Sequence, residues 1–287
     1  VLLNDFEQLT APIWSPLYRL LIRNVILGVF LHDADRDAYP PSPGISARCM
    51  KKMMSIMDIG LHHGNLPKRS YYQNTKTIFQ KVEHGLYEAA GTDKELQEQI
   101  TLWKQQFKGP ILIIPGHIRA EKNYLLVFES LKKNKDKGLI IAGSSANSSI
   151  SVSELKTAAA NCGLADQVLW IDKYLSEEEM TTALKSSDIV LLYYASSFHA
   201  QSGILNQVAP LQIPVITGRL DNALSQSVEQ YNLGWIIPPD SVQALSELLT
   251  GINKEQIKPR WEDYYINSAW SKQTALVLAL VNKILAK

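Results

Sequence analysis

Between an apolar run (ILIIP, 111–115) and an amphipathic stretch (YLLVFESLKK) lies the octapeptide GHIRAEKN, residues 116–123. It gathers Gly116, His117, Arg119, Lys122 and Asn123 into one turn. A buried strand that ends in glycine and leads into a helix aims backbone N–H groups and a helix dipole at the crevice beyond it, which suits an anion. A phosphate is the matching ligand, with free amides near Gly116 and with Lys122 and Arg119 as counter-charges. A solvated turn carrying basic residues is the competing reading, and these eight residues alone leave both open.

A second stretch, HAQSGILNQVA (199–209), places Ser202 and Gly203 where a helix should begin. Ser202 is a candidate N-cap, and Gly203 removes the side chain that would keep a ligand from the backbone amides. A Ser-Gly pair can also be a simple cap. Two helix starts at strand ends of one sheet would suit a diphosphate, with Lys122 adding a compact charge.

The elements that must position these residues follow a regular rhythm from 109 onward. Apolar runs of four to six residues (ILIIP, LIIAG, VLWI, IVLLYY, PVITG, GWII) alternate with amphipathic stretches such as SVSELKTAAANCG, SEEEMTTALKSS, NALSQSVEQYN and DSVQALSELLTGI. That alternation predicts a parallel sheet covered on both faces, a doubly wound Rossmann-like domain. Ligands of such sheets sit at the carboxyl ends of the strands. Gly116 to Asn123, Gly143 to Ser145, Asp172 to Tyr174, Ser196 to Gly203 and Thr217 to Leu220 should therefore converge. Neither G-x-G-x-x-G nor a P-loop is present, so the crevice is not an obvious nicotinamide or ATPase site.

The first third reads as a helix (PIWSPLYRLLIRN), a strand (VILGVFLHD), a proline-rich loop (AYPPSPG) and a helix with a methionine face (SARCMKKMMSI). A short strand in DIGLHHGNLP follows, then a helix over DKELQEQITLWKQQF; TIFQKVEHGLYEAAG receives no element. A length of 287 residues suggests two domains of ~150 residues. Hydrophobic content of 46% with 20% charged residues is that of an ordinary globular chain with ample core. A net charge of +1 gives no basic stripe for nucleic acid. Cys49 and Cys162 match no metal or redox spacing and read as thiols in a reducing compartment. The window PLYRLLIRNVILGVFLHD is broken by Arg19 and Arg23 and is too short to span a bilayer, which leaves a buried helix–strand pair or contact with a membrane surface. The chain begins at Val1 in what reads as mid-strand, so a fragment, a processed form or a trimmed chain is expected.

The order G-x-I-R-x-x-K-N, LIIAG, SEEEM, DIVLLYY, SGIL-x-x-A-x-x-x-x-x-PVI and LG-x-x-x-P-x-D resembles the C-terminal domain of GT-B glycosyltransferases over roughly 109–250. It is most similar to family 4 (group 1), in the branch that builds bacterial exopolysaccharide or lipopolysaccharide. The resemblance implies an α/β fold of two Rossmann-like doubly wound parallel-sheet domains. On that pattern, 1–107 is a partial acceptor-side domain, 108–268 holds the nucleotide sugar, and 269–287 is a helix packing back on the N-terminal domain. An acceptor domain of this fold is normally larger, which implies strands before Val1. HGLY (84–87) resembles the turn before the interdomain linker, and LHDAD (31–35) resembles the strand-end loop whose histidine, here His32, faces the donor sugar. Asp33, His62 and His63 are weaker candidates.

Position by position, Lys122 falls on the family's phosphate-binding lysine, with Gly116 and Asn123 in the same motif. His117 stands where arginine is commoner, and Arg119 is placed to supply the guanidinium. Gly143 and Ser144 match the turn near the nucleoside, and Asp172, Lys173 and Tyr174 match the strand end that edges the base. Ser202 and Gly203 match the phosphate-facing helix start. The family's Glu-x7-Glu pair falls on His199 and Gln207, a departure that puts the donor's identity and turnover in question. The implied activity is metal-independent hexosyl transfer, with retention, from a UDP- or GDP-type sugar to a saccharide acceptor, lipid-linked or polysaccharide. His32, His199 and Lys122 are the catalytic candidates. The resemblance implies no cofactor, no nucleic acid partner and a cytoplasmic protein, with peripheral contact at the inner face of the membrane as a further expectation. A catalytically degenerate nucleotide- or glycan-binding partner is the alternative.

Overall fold

In the computed structural model, residues 1–22, 24–32, 34, 42–145, 150–198 and 202–286 are described. They fall into two compact units, Val1–Gly85 together with the segment from Asn267 onward, and Leu86–Phe198 together with Ser202–Ile266.

The first unit runs β1 (Leu2–Leu3), α1 (Ala11–Leu21), β2 (Gly28–Leu31), α2 (Pro43–Ile56), β3 (Ile59–His62), α3 (Ser70–Gln73) and β4 (Ile78–Lys81). Its sheet is parallel throughout, in the order β1-β2-β3-β4. Ser42 caps α2 by accepting from the Ile45 amide, and Pro43 occupies the first turn, where its missing N–H costs nothing. Met50, Met53 and Met54 then lie on one buried face at helical spacing, packed with Leu27, Val29 and Leu31. Arg19, which interrupts the apolar window in the sequence, has a structural task. Its guanidinium donates to both Asp58 carboxylate oxygens (2.8 and 3.0 Å) and to Val25 O, and Asp58 also accepts from the Leu27 amide.

The second unit continues with α4 (Lys94–Lys104), β5 (Ile111–Pro115), α5 (Tyr124–Leu131), β6 (Gly138–Ala142), α6 (Val152–Asn161), β7 (Val168–Ile171), α7 (Glu177–Lys185), β8 (Ile189–Leu192) and α8 (Gly203–Val208). It closes with β9 (Val215–Gly218), α9 (Ala223–Tyr231), β10 (Gly234–Ile237), α10 (Val242–Gly251) and α11 (Trp261–Ser268). The six strands are parallel in the order β10-β9-β8-β5-β6-β7, so the winding reverses between β5 and β8. This is the doubly wound order expected from the sequence, and the reversal marks the topological switch point. Alternate residues of each strand face opposite layers. Ile111 and Ile113 join one core with Leu184, Leu205 and Leu224, while Leu112 and Ile114 join the other with Phe128, Leu155 and Leu245. Ser176 and Glu179 form the reciprocal capping box that starts α7 in the SEEEM motif.

The last helix, α12 (Trp270–Leu285), belongs to the first unit. Val277, Leu280, Val281 and Ile284 form its apolar stripe against Ile59, Leu61 and Val82. Gln273 accepts from the Glu83 amide at 2.8 Å, and a Cβ on Gly85 would overlap the Trp270 ring. That close approach is why HGLY carries glycine. β4 and α11 had no sequence assignment: TIFQK is too short and mixed for either periodicity, and Trp261 and Tyr264 enter the core from a charged stretch. Among the described residues no helix is long and apolar enough to cross a membrane.

Candidate functional site

The turn after β5 is built by close packing of two glycines. Gly116 has φ +81°, and a Cβ on Gly143 (φ +148°) would collide with the Gly116 carbonyl. The Gly116 amide donates to Ala142 O and the Ile118 amide to Ser144 O, both at 2.8 Å. This corrects the expectation of a free amide at 116: the turn extends the pairing of β5 with β6, and the glycine supplies conformation and space instead of a donor. Ile118 is fully buried beneath the turn, while His117 and Arg119 are exposed.

Lys122 ends a single 3-10 turn (Ala120–Lys122) ahead of α5 and is only 8% exposed. Its ammonium donates to Pro115 O, the last carbonyl of β5. Burial, reinforced by the nearby Arg119 charge, draws its pKa from 10.5 to about 7. The Lys122 Nζ lies 3.5 Å from where a Gly116 Cβ would stand, and Ile204 Cδ1, in the first turn of α8, lies 2.9 Å from the same point. The β5 turn and the start of α8 therefore meet at the switch point around one buried amine.

Ser202 is 4% exposed and occupies the N-cap position of α8, but its side chain makes no cap hydrogen bond. Its hydroxyl pairs with the Tyr194 hydroxyl at 3.1 Å, a buried partner that the sequence reading missed. Among the described residues, no atom comes within 4 Å of a Cβ built on Gly203, so space opens there on their side. Gln207 Oε1 is buried and has no hydrogen-bond partner among the described residues. Such an acceptor carries a desolvation cost that a ligand hydroxyl would relieve. His199, the other departure from the carboxylate pair, lies outside the described residues.

At the neighbouring strand ends, Gly143 is buried and Ser144 accepts from Ile118. Asp172 lies 3.8 Å from Lys156 Nζ, and Lys173 pairs with Glu179. Tyr174 is 79% exposed, a large aromatic face at the end of β7. The structure thus brings Gly116, Lys122, Asn123, Gly143 and Ser144 together at one strand-end cluster, with the start of α8 against it.

His32 belongs to the first unit, just past β2. Its ring stacks on Phe30 (4.6 Å between centroids), its Nδ1 meets His63 Nε2 at 3.3 Å, and its Nε2 meets Asn4 Oδ1 at 3.1 Å. His63 is 4% exposed, and its Nδ1 lies 3.1 Å from Val82 O. A carbonyl only accepts, so the His63 proton sits on Nδ1 and its Nε2 is left as the acceptor of the hydrogen bond with His32 Nδ1. Burial, the largest cause, lowers the His63 pKa to about 4 and keeps that ring neutral. His62 donates from Nδ1 to Gly64 O, and burial lowers its pKa as well. Asp33 lies outside the described residues.

The two parallel-sheet α/β domains are those of GT-B glycosyltransferases, and the chain belongs to the glycosyl transferases group 1 family, whose model matches residues 93–266. No curated protein sequence matches the chain. Among solved structures, Anabaena HepE in complex with UDP-glucose is similar over 100% of this chain and 79% of that one, with a TM-score of 0.70 and 12% identity. Sucrose-phosphate synthase from Thermosynechococcus elongatus is similar over 95% and 71%, with a TM-score of 0.69 and 14% identity. A glycosyltransferase from Rickettsia africae is similar over 99% and 98%, with a TM-score of 0.61 and 14% identity. At these identities the likeness is one of fold.

Proposed function

We propose that the protein is a hexosyltransferase. It takes a hexose from a UDP- or GDP-type nucleotide sugar to a saccharide acceptor, lipid-linked or polysaccharide, with retention and without a bound metal. The carrying observation is the buried Lys122 amine beside Gly116 at the switch point, facing the first turn of α8. A diphosphate reaching this amine would bring the proton and the charge together. As the C1–O bond breaks, its electron pair stays on the β-phosphate, and the Lys122 ammonium would stabilise that charge as it develops. Arg119, on the exposed side of the same turn, would add a guanidinium. Gln207 Oε1 would accept from a ribose hydroxyl, and the exposed Tyr174 ring would border the base. His32 is proposed as a catalytic residue. The neighbour crystallised with UDP-glucose supports a nucleotide sugar as donor, and the family supports transfer. The proposed location is the cytoplasm, at the inner face of the membrane.

One observation favours a second reading. An amide, Gln207, stands where the family has its second carboxylate, which suits a partner protein that binds a nucleotide without turnover. The deciding experiment incubates the protein with UDP- and GDP-hexoses and follows 31P spectra for release of UDP or GDP. Release that disappears in Lys122→Ala is the expected result. Bound nucleotide sugar with no release, with or without saccharide acceptors, would favour the non-catalytic reading.

A further inference from the structure

Lys122 is fastened on both sides by contacts that its motif does not announce. On one side the Ala195 amide donates to Glu121 O at 2.8 Å. On the other, Asn123 Nδ2 donates to Asp240 Oδ1 at 2.9 Å, while Asp240 Oδ2 accepts from the Ser196 amide at 3.0 Å. One carboxylate thus joins three loops: the turn after β5, the segment after β8 and the turn between β10 and α10. The Ser196 hydroxyl first, then the Asn123 amide group and the Ser196 backbone amide, hold the Asp240 carboxyl below the usual range against the effect of burial, so it stays ionised and accepts at both oxygens.

Both partners occupy left-handed backbone, Asn123 at φ +55° and Asp240 at φ +51°. Glycine would fit either position with less strain, so the side chains, not the backbone, account for these residue types. The platform under Asp240 is itself pinned. The buried Tyr193 hydroxyl at the end of β8 donates to Pro238 O and accepts from the Ser241 amide at 2.9 Å, on either side of Asp240.

We infer that Asp240 is a positioning residue of the donor site: through Asn123 and Ser196 it clamps the 121–123 turn so that the Lys122 amine meets the diphosphate. This rests on the nucleotide-sugar reading above. It acts through Lys122 and touches no reacting atom.

The test uses Asp240→Gly and Asn123→Gly, which keep the left-handed backbone accessible, and their combination. UDP and GDP are titrated, with uridine and guanosine as probes lacking phosphate. The clamp predicts about 3- to 10-fold weaker nucleotide binding in either variant, the scale of one hydrogen-bond connection. The double variant should be no weaker than the worse single one, and nucleoside binding should be unchanged. Equal losses for nucleotide and nucleoside, additive losses, or affinities within twofold of wild type would each overturn the inference. If the wild type binds neither UDP nor GDP, the donor reading fails by itself, and hydrogen exchange then judges the clamp. Faster exchange confined to 116–124 and 193–198 in Asp240→Gly supports it, and unchanged exchange there refutes it.

Discussion

Replacing Lys122 with methionine should stabilise the protein while removing the charge that a phosphate needs. The unfolded chain holds the lysine proton up to pH 10.5, whereas the folded chain releases it near pH 7. Between those values the unfolded state binds more protons, so stability rises with pH across that window. At ~1.4 kcal/mol per pKa unit, the buried amine costs up to about 4 kcal/mol at pH 7 and about 2 kcal/mol at pH 9. Methionine, of similar length, carries no such cost and loses only the hydrogen bond to Pro115 O, worth ~1 kcal/mol. At ~2–4 °C per kcal/mol, the variant should melt about 6–12 °C above wild type at pH 7 and only about 2–4 °C above it at pH 9. Scanning calorimetry of both proteins across pH 7–9 reads the difference, in which titrations elsewhere cancel. A gap that does not narrow with pH, or a variant less stable at pH 7, would refute the assigned burial cost.

Three other expectations follow from the same geometry. His63 keeps a folded pKa of about 4 against an ordinary 6.5, so stability should be lost as pH falls between those values, by up to ~3 kcal/mol. Urea unfolding at pH 7 and 4.5 should show that loss in wild type and little of it in His63→Phe. Gly203→Ala should fold with an unchanged or higher Tm, because Ala gains up to ~1 kcal/mol in a helix and its Cβ meets none of the described residues. Its affinity for UDP or GDP, read by calorimetry, should nonetheless fall about tenfold or more if the diphosphate lies against that backbone. Gly143→Ala drives a Cβ into the Gly116 carbonyl at a backbone angle that L residues avoid, and should cost ~3 kcal/mol or more, seen as low soluble yield and a depressed Tm.

The second unit was legible because its strands are buried on both faces and read as continuous apolar runs, each followed by an amphipathic helix. Doubly wound topology then indicated which strand ends could converge, with GHIRAEKN, already singled out by its glycine and basic residues, among them. What sequence could not convey is how backbone groups pair. The Gly116 amide reads as free until its partner, Ala142 O, is known, and Ser202 reads as a cap until Tyr194 appears beside it. Asp240 closes the P-x-D motif, yet its partners Asn123 and Ser196 are 117 and 44 residues away, a pairing that no local pattern encodes. His63 was legible only as one of several histidines. Its burial and its bond to Val82 O depend on β3 lying beside β4, a strand the sequence did not reveal.

The most direct test of the donor site is calorimetric titration of wild type and Lys122→Ala with UDP and GDP at pH 7. Micromolar binding of one of the two nucleotides is expected, with a loss on the order of 100-fold in the variant, the scale of a single oriented charge contact to a phosphate. Equal affinity in both proteins, or no binding to either, would contradict the assignment of the buried Lys122 turn as the diphosphate site.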